Sequence, residues 1–119
     1  MKTLYVFGNE HLDQDNMAHH VAKHLEGVSI MHCFSPEALF DAKGDELLLL
    51  DVVKDIDKPM IITDPTVLKT KNLMSLHDFD LGYFLQMMEA LGEGKKVKII
   101  GVPPTGDRVE WAKQVSEWL

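Results

Sequence analysis

Residues 47–51 read Leu-Leu-Leu-Leu-Asp, and this run decides the fold class. Four leucines with no polar residue between them cannot alternate between a core face and a solvent face. As a strand they belong at the centre of a sheet covered on both sides. Helix is the competing reading, but four residues bounded by Glu46 and Asp51 are too few to build one. The run ends in Asp51, which sets an acid at the carboxyl end of a central strand.

Working outward, Thr3-Leu4-Tyr5-Val6-Phe7 reads as a buried first strand stopped by Gly8-Asn9. Met17, Ala18, Val21, Ala22 and Leu25 then form one helical stripe closed by Gly27, while His19, His20, Lys23 and His24 fall largely away from it and read as exposed. Val28 to Cys33 is the second strand, and Ser35-Pro36 opens a short helical turn to about Phe40. Pro59 to Thr63 reads as an edge or antiparallel strand, because prolines 59 and 65 would interrupt a central ladder. After a polar loop to Ser75, Leu81, Phe84, Leu85, Met88 and Leu91 mark a second amphipathic helix, and Val97 to Gly101 supplies the last strand before Pro103-Pro104.

Asp107 is placed to cap the final helix, with Glu110 completing an acidic capping-box variant. Val109, Ala112, Val115 and Leu119 would line its inner face, flanked by Trp111 and Trp118. Helices are therefore expected near 15–26, 79–91 and 107–118. Strands alternating with helices imply right-handed crossovers and a three-layer α/β/α sandwich, formed as a single domain over residues 1–119 with no internal repeat.

Composition narrows the function classes. Apolar residues at 45% can fill one core, which argues against disorder. The net charge of −7 opposes binding to nucleic acid or anionic lipid, and the basic cluster Lys95, Lys96 and Lys98 reads as solvated chemistry at a strand start. No apolar run approaches the roughly 20 residues of a membrane span. A lone Cys33 rules out an intrachain disulfide, and with no secretory leader the expected location is the cytoplasm.

In such folds ligands gather where strands end and loops begin. Asp15 in the loop after the first strand, Asp51 at the end of the third, and His77 before the second long helix are the polar residues so placed. Two carboxylates and an imidazole form a mixed oxygen and nitrogen set that suits zinc, nickel or iron better than calcium. The plainer reading makes Asp15 and Asp51 caps of helices or turns and His77 a loop histidine. Gly8 does not open a nucleotide loop, since the further glycines and the lysine-hydroxyl pair are missing. His20 and His24 are four apart but lack the glutamate of a zinc-protease helix, and Cys33 reads as a buried structural thiol. Phe79, Tyr83, Phe84, Met87 and Met88 read as helix packing.

Taken in order, Gly8-Asn9, Gln14-Asp15-Asn16, Leu49-Leu50-Asp51, Ser75-Leu76-His77-Asp78 and Ile99-Ile100-Gly101-Val102-Pro103-Pro104 resemble the landmarks of the nickel-iron hydrogenase maturation endopeptidase family, over most of the chain. The resemblance implies a mixed, mainly parallel five-stranded sheet in the sandwich. It also implies an enzyme that removes a C-terminal peptide from the hydrogenase large-subunit precursor once nickel is installed. It assigns metal-contacting and catalytic roles to Asp15, Asp51 and His77, with nickel supplied by the substrate protein and another divalent metal compatible with the site. The implied partner is that precursor, and the free protease is expected to be monomeric. Gln14 stands where the family usually has an acid and Asn16 where it has glycine, and the stretch between Asp51 and His77 and the tail after Pro104 are short. These departures keep two other readings in view: a non-cleaving metalloprotein assembly or binding factor, and a flavodoxin-like small-molecule binding domain.

Overall fold

A computed structural model describes residues 2–7, 16–33, 46–53, 56–63 and 96–119. In chain order its elements are β1 (Lys2–Phe7), α1 (Met17–Ala22), β2 (Val28–Cys33), β3 (Glu46–Val52), β4 (Met60–Ile62), β5 (Lys96–Val102) and α2 (Arg108–Ser116). The five strands form one sheet in the order β2-β1-β3-β5-β4. β1 pairs in parallel with β2 and β3, β3 pairs in parallel with β5, and β4 alone runs antiparallel, against β5.

The leucine run lies where its lack of alternation places it, in the middle of the sheet with β1 on one side and β5 on the other. Leu48 and Leu50 join Leu4, Val6, Ile100 and Val102 on the face that meets α1 and α2. Leu47 and Leu49 point the other way, and there too burial is nearly complete: Phe7 and Leu49 are 0% exposed and Ile99 is 1% exposed. Each such side chain contributes roughly 1.5–3 kcal/mol through removal from water. A sheet buried on both faces is the middle layer of a three-layer α/β/α sandwich.

β4 is short and antiparallel at the sheet's edge, as the flanking proline requires: Pro59 has no N–H to give a ladder and stands just before the first paired residue, Met60. α1 spans less than the expected 15–26, giving way to a turn after Ala22. Its N-cap residue Asn16 makes no side-chain capping bond, and its first turn carries no acid, so little local chemistry extends the helix. The helix expected near 79–91 and the turn at 35–40 lie outside the described residues.

Two side chains face differently from expectation. His19 is buried, 2% exposed, because α1 sits close enough to β2 for this position to meet His32. Val109 is 46% exposed, while Ala112 and Val115 form the inner stripe of α2, joined by the partly buried Trp111, Trp118 and Leu119. Val109 belongs to the first turn, where Trp111 supplies the packing. The Trp111 indole donates from Nε1 to the Thr105 carbonyl at 3.0 Å and lies against Gly106. Gly106 has φ +115, and a Cβ there would come within 2.6 Å of the indole, so both the backbone and the contact call for glycine.

Candidate functional site

Strand order fixes where a ligand would be received. The chain passes from β1 to β2 on one side and from β3 to β4 on the other, so the carboxyl ends of β1 and β3 flank the switch point at which sheets of this order receive ligands. Asp51 is the penultimate residue of β3 and lies on the face opposite α1 and α2, since Leu50 and Val52 on either side of it point into the helix-bearing core. Its carboxylate is buried, 1% exposed, and Oδ1 accepts the backbone N–H of Val52 at 2.8 Å. Burying a carboxylate costs several kcal/mol unless its oxygens find donors or cations. An acid kept in that position among leucines and valines is the chemically conspicuous feature of the central strand.

The end of β3 is firmly held. Asp51 is in register with Gly101 of β5, and the Val53 N–H continues the ladder by donating to the Val102 carbonyl at 2.9 Å. Gly101 has no side chain, and Val53 fills the space: a Cβ at 101 would lie 2.6 Å from Val53 Cγ2. β3 therefore presents Asp51 from a rigid strand end.

Asp15 and His77 lie outside the described residues. Asp15 directly precedes Asn16, the N-cap residue of α1, along the chain. Among the described residues, no three histidine, cysteine or acidic side chains come together in a way that could hold a metal ion. His24 is exposed, and His20 Nδ1 lies 3.2 Å from Arg108 Nη1 on α2. Cys33 is buried, as the sequence led us to expect, with its Sγ 3.7 Å from the Met31 carbonyl. Burial pushes its thiol above the ordinary range, the opposite of what a nucleophilic cysteine needs. The Tyr5 hydroxyl is also pushed up, by burial first and then by the neighbouring Cys33.

Sequence reasoning missed a histidine pair. His19 on α1 and His32 on β2 approach to 2.6 Å between their Nδ1 atoms. The signal lay in strand parity: His32 is in register with the core residue Val6, and so faces the side of the sheet on which α1 packs.

No protein-family model matches the chain, and no curated protein matches it. Solved structures do. The solution structure of the endopeptidase HycI from Escherichia coli superposes with a TM-score of 0.64 at 15% identity, covering 99% of this chain and 91% of that one. The crystal structure of the hydrogenase 3 maturation protease gives 0.67 at 16% identity over 98% of this chain and 88% of that one. A hydrogenase 2 maturation peptidase from a Thaumarchaeota archaeon gives 0.55 at 17% identity over 99% of this chain and 95% of that one. At these identities the likeness is one of fold, and it runs nearly the full length of the chain.

Proposed function

We propose that this chain is an endopeptidase that removes a C-terminal peptide from a nickel-loaded hydrogenase large-subunit precursor. The observation that carries the reading is the buried Asp51 carboxylate at the end of the central strand, beside the switch point of the strand order where folds of this kind receive ligands. The full-length likeness in fold to solved hydrogenase maturation proteases supports it.

In this proposal Asp15, Asp51 and His77 together meet the metal, which arrives as part of the substrate. The donor set fits: a buried carboxylate is an anionic oxygen ligand whose desolvation is offset by a cation, and a mixed carboxylate and imidazole set suits nickel or zinc. When bound, the ion supplies recognition of the loaded precursor and polarises a nearby carbonyl. Asp51, fixed by β3 and its Val52 N–H, orients the precursor from a position that excludes water. The protein acts as a single cytoplasmic domain over residues 1–119, monomeric when free.

The deciding experiment follows the intact mass of a cognate precursor, nickel-loaded or nickel-free, mixed with this protein. Loss of a defined C-terminal peptide from the loaded form alone supports the proposal, and Asp15→Asn and His77→Ala should each slow that loss. Nickel-dependent binding without shortening would replace it with the assembly-factor reading. Failure to bind either form would withdraw the hydrogenase assignment.

A further inference from the structure

The Asp51 carboxylate has a direction as well as a place. Successive backbone N–H groups of a strand point to opposite neighbours. The Val53 N–H donates to the Val102 carbonyl of β5 at 2.9 Å, so the Val52 N–H points the other way, toward β1. Leu50 is the last β3 residue in register with β1, and at Val52 that side of the strand has passed the end of the ladder. Asp51 Oδ1 accepts the Val52 N–H there at 2.8 Å. The carboxylate is thereby turned toward β1 and the switch point, away from β5.

The β5 side is filled. Gly101 stands in register with Asp51, and a side chain there would lie directly beside the carboxylate, since neighbouring strands are about 4.8 Å apart. Val53 shares the face of Asp51, because side chains alternate along a strand, and it leans back into that place. Its Cγ2 lies 2.6 Å and its Cβ 3.3 Å from where a Cβ at 101 would be, with Met60 Cγ 3.6 Å from the same point. Val53 is 1% exposed, so this packing is closed to water.

We propose that Val53, seated on Gly101, is a positioning residue that holds the Asp51 carboxylate on the β1 side of its strand. This rests on the reading of Asp51 as the acid that meets the substrate's metal, and it adds how that acid is aimed. The Asp51 side chain must occupy a staggered χ1 well, and one that swings the carboxylate toward β5 drives it into the Val53 methyl. The Val52 N–H favours the opposite direction with a charge-assisted hydrogen bond. An acid aimed before the substrate arrives loses little further freedom on meeting it. Plain core packing requires only that the space over Gly101 be filled; positioning requires that filling it decide where the carboxylate lies.

The test compares the full chain with Val53→Ala, and with Val53→Ala combined with Gly101→Ala, in which a methyl at 101 refills the place the valine leaves. In nitrogen-15 spectra the Val52 amide reports its bond to Asp51. In Val53→Ala its proton should move upfield and exchange about tenfold faster relative to the amide of residue 53, which keeps its bond to Val102. In the double variant both changes should largely reverse. Processing of a nickel-loaded precursor should follow the same order, slowed by about tenfold in Val53→Ala and recovered in the double variant. A Val52 amide unmoved in Val53→Ala would overturn the proposal whatever the processing rate. So would a double variant whose Val52 amide stays as it is in the single one. If the parent does not process the precursor, the protease reading falls, while the amides still decide whether Val53 aims Asp51. If Val53→Ala fails to fold, side-chain couplings in the parent decide: one Asp51 χ1 rotamer upholds the proposal, and averaging over rotamers overturns it.

Discussion

Asp51 on β3 stands in register with Gly101 on β5, and the place a side chain at 101 would take is already held by Val53, whose Cγ2 is 2.6 Å from that point. Gly101→Ala therefore forces a methyl into a β-branched neighbour that is itself 1% exposed and has nowhere to go. Overpacking of this kind costs about 1–3 kcal/mol. Urea unfolding should show a lower midpoint with an unchanged slope; an unchanged midpoint would mean that β3 and β5 separate easily at this end.

Asp51→Asn separates chemistry from folding. The amide oxygen can still accept the Val52 N–H, so this tie to the strand end should be kept. The anionic ligand is lost, and processing of a nickel-loaded precursor should slow by at least about tenfold to a hundredfold. Full activity in this variant would remove Asp51 from the site.

The cap of α2 offers a local test of stability. Asp107 Oδ1 accepts the N–H groups of Val109 at 2.8 Å and Glu110 at 3.2 Å. Asp107→Ala leaves both donors without this acceptor and should destabilise the fold by about 0.5–2 kcal/mol, whereas Asp107→Ser should recover most of the loss. Chemical denaturation of the three proteins side by side is sufficient to check this.

Cys33 gives the pH prediction. Burial raises its thiol above the ordinary value, so the folded chain holds that proton to higher pH than the unfolded chain does. The stability tied to the neutral thiol is complete below the unfolded value and is lost as pH rises above it. Stability should therefore fall in alkaline solution, and Cys33→Ala should flatten part of the fall. A disulfide reagent at neutral pH should react with Cys33 slowly, and rapidly once denaturant is present. Fast labelling of the native chain would show that this end of β2 opens.

Much of the framework is legible in local sequence, because strand and helix patterns are local properties. Val28 to Cys33 forms β2 with the bounds read from the sequence, the four leucines occupy the sheet centre, and the proline-flanked segment yields an antiparallel edge. Asp107 caps α2 as its spacing implies. What was misread depends on how elements meet. His19 looked exposed from the stripe of α1 alone, and only the register of β2 on β1 brings His32 beneath it. Val109 matched the inner stripe by periodicity, yet Trp111 takes its place. Of the candidate site, Asp51 was legible as the end of a strand, while bringing Asp15 and His77 to it requires long-range geometry that spacing does not contain.

The strand order also bears on how the chain folds. β1 lies beside strands that begin at residues 28 and 46, β3 beside one that begins at 96, and β4 waits for that same strand. Among the described strands, no pairing is a tight hairpin that could form early and guide its neighbours. Loop-closure entropy must be met before the ladder gives anything back, which sets such chains in the slow, millisecond-to-second range. β5 joins both β3 and β4, so a ribosome-bound chain that has not yet emitted residues 96–102 holds two hydrophobic strands without the partner that separates them. Completion of the sheet therefore waits for residues 96–102 to be made, and exposure of the leucine strand until then is the interval in which aggregation competes with folding.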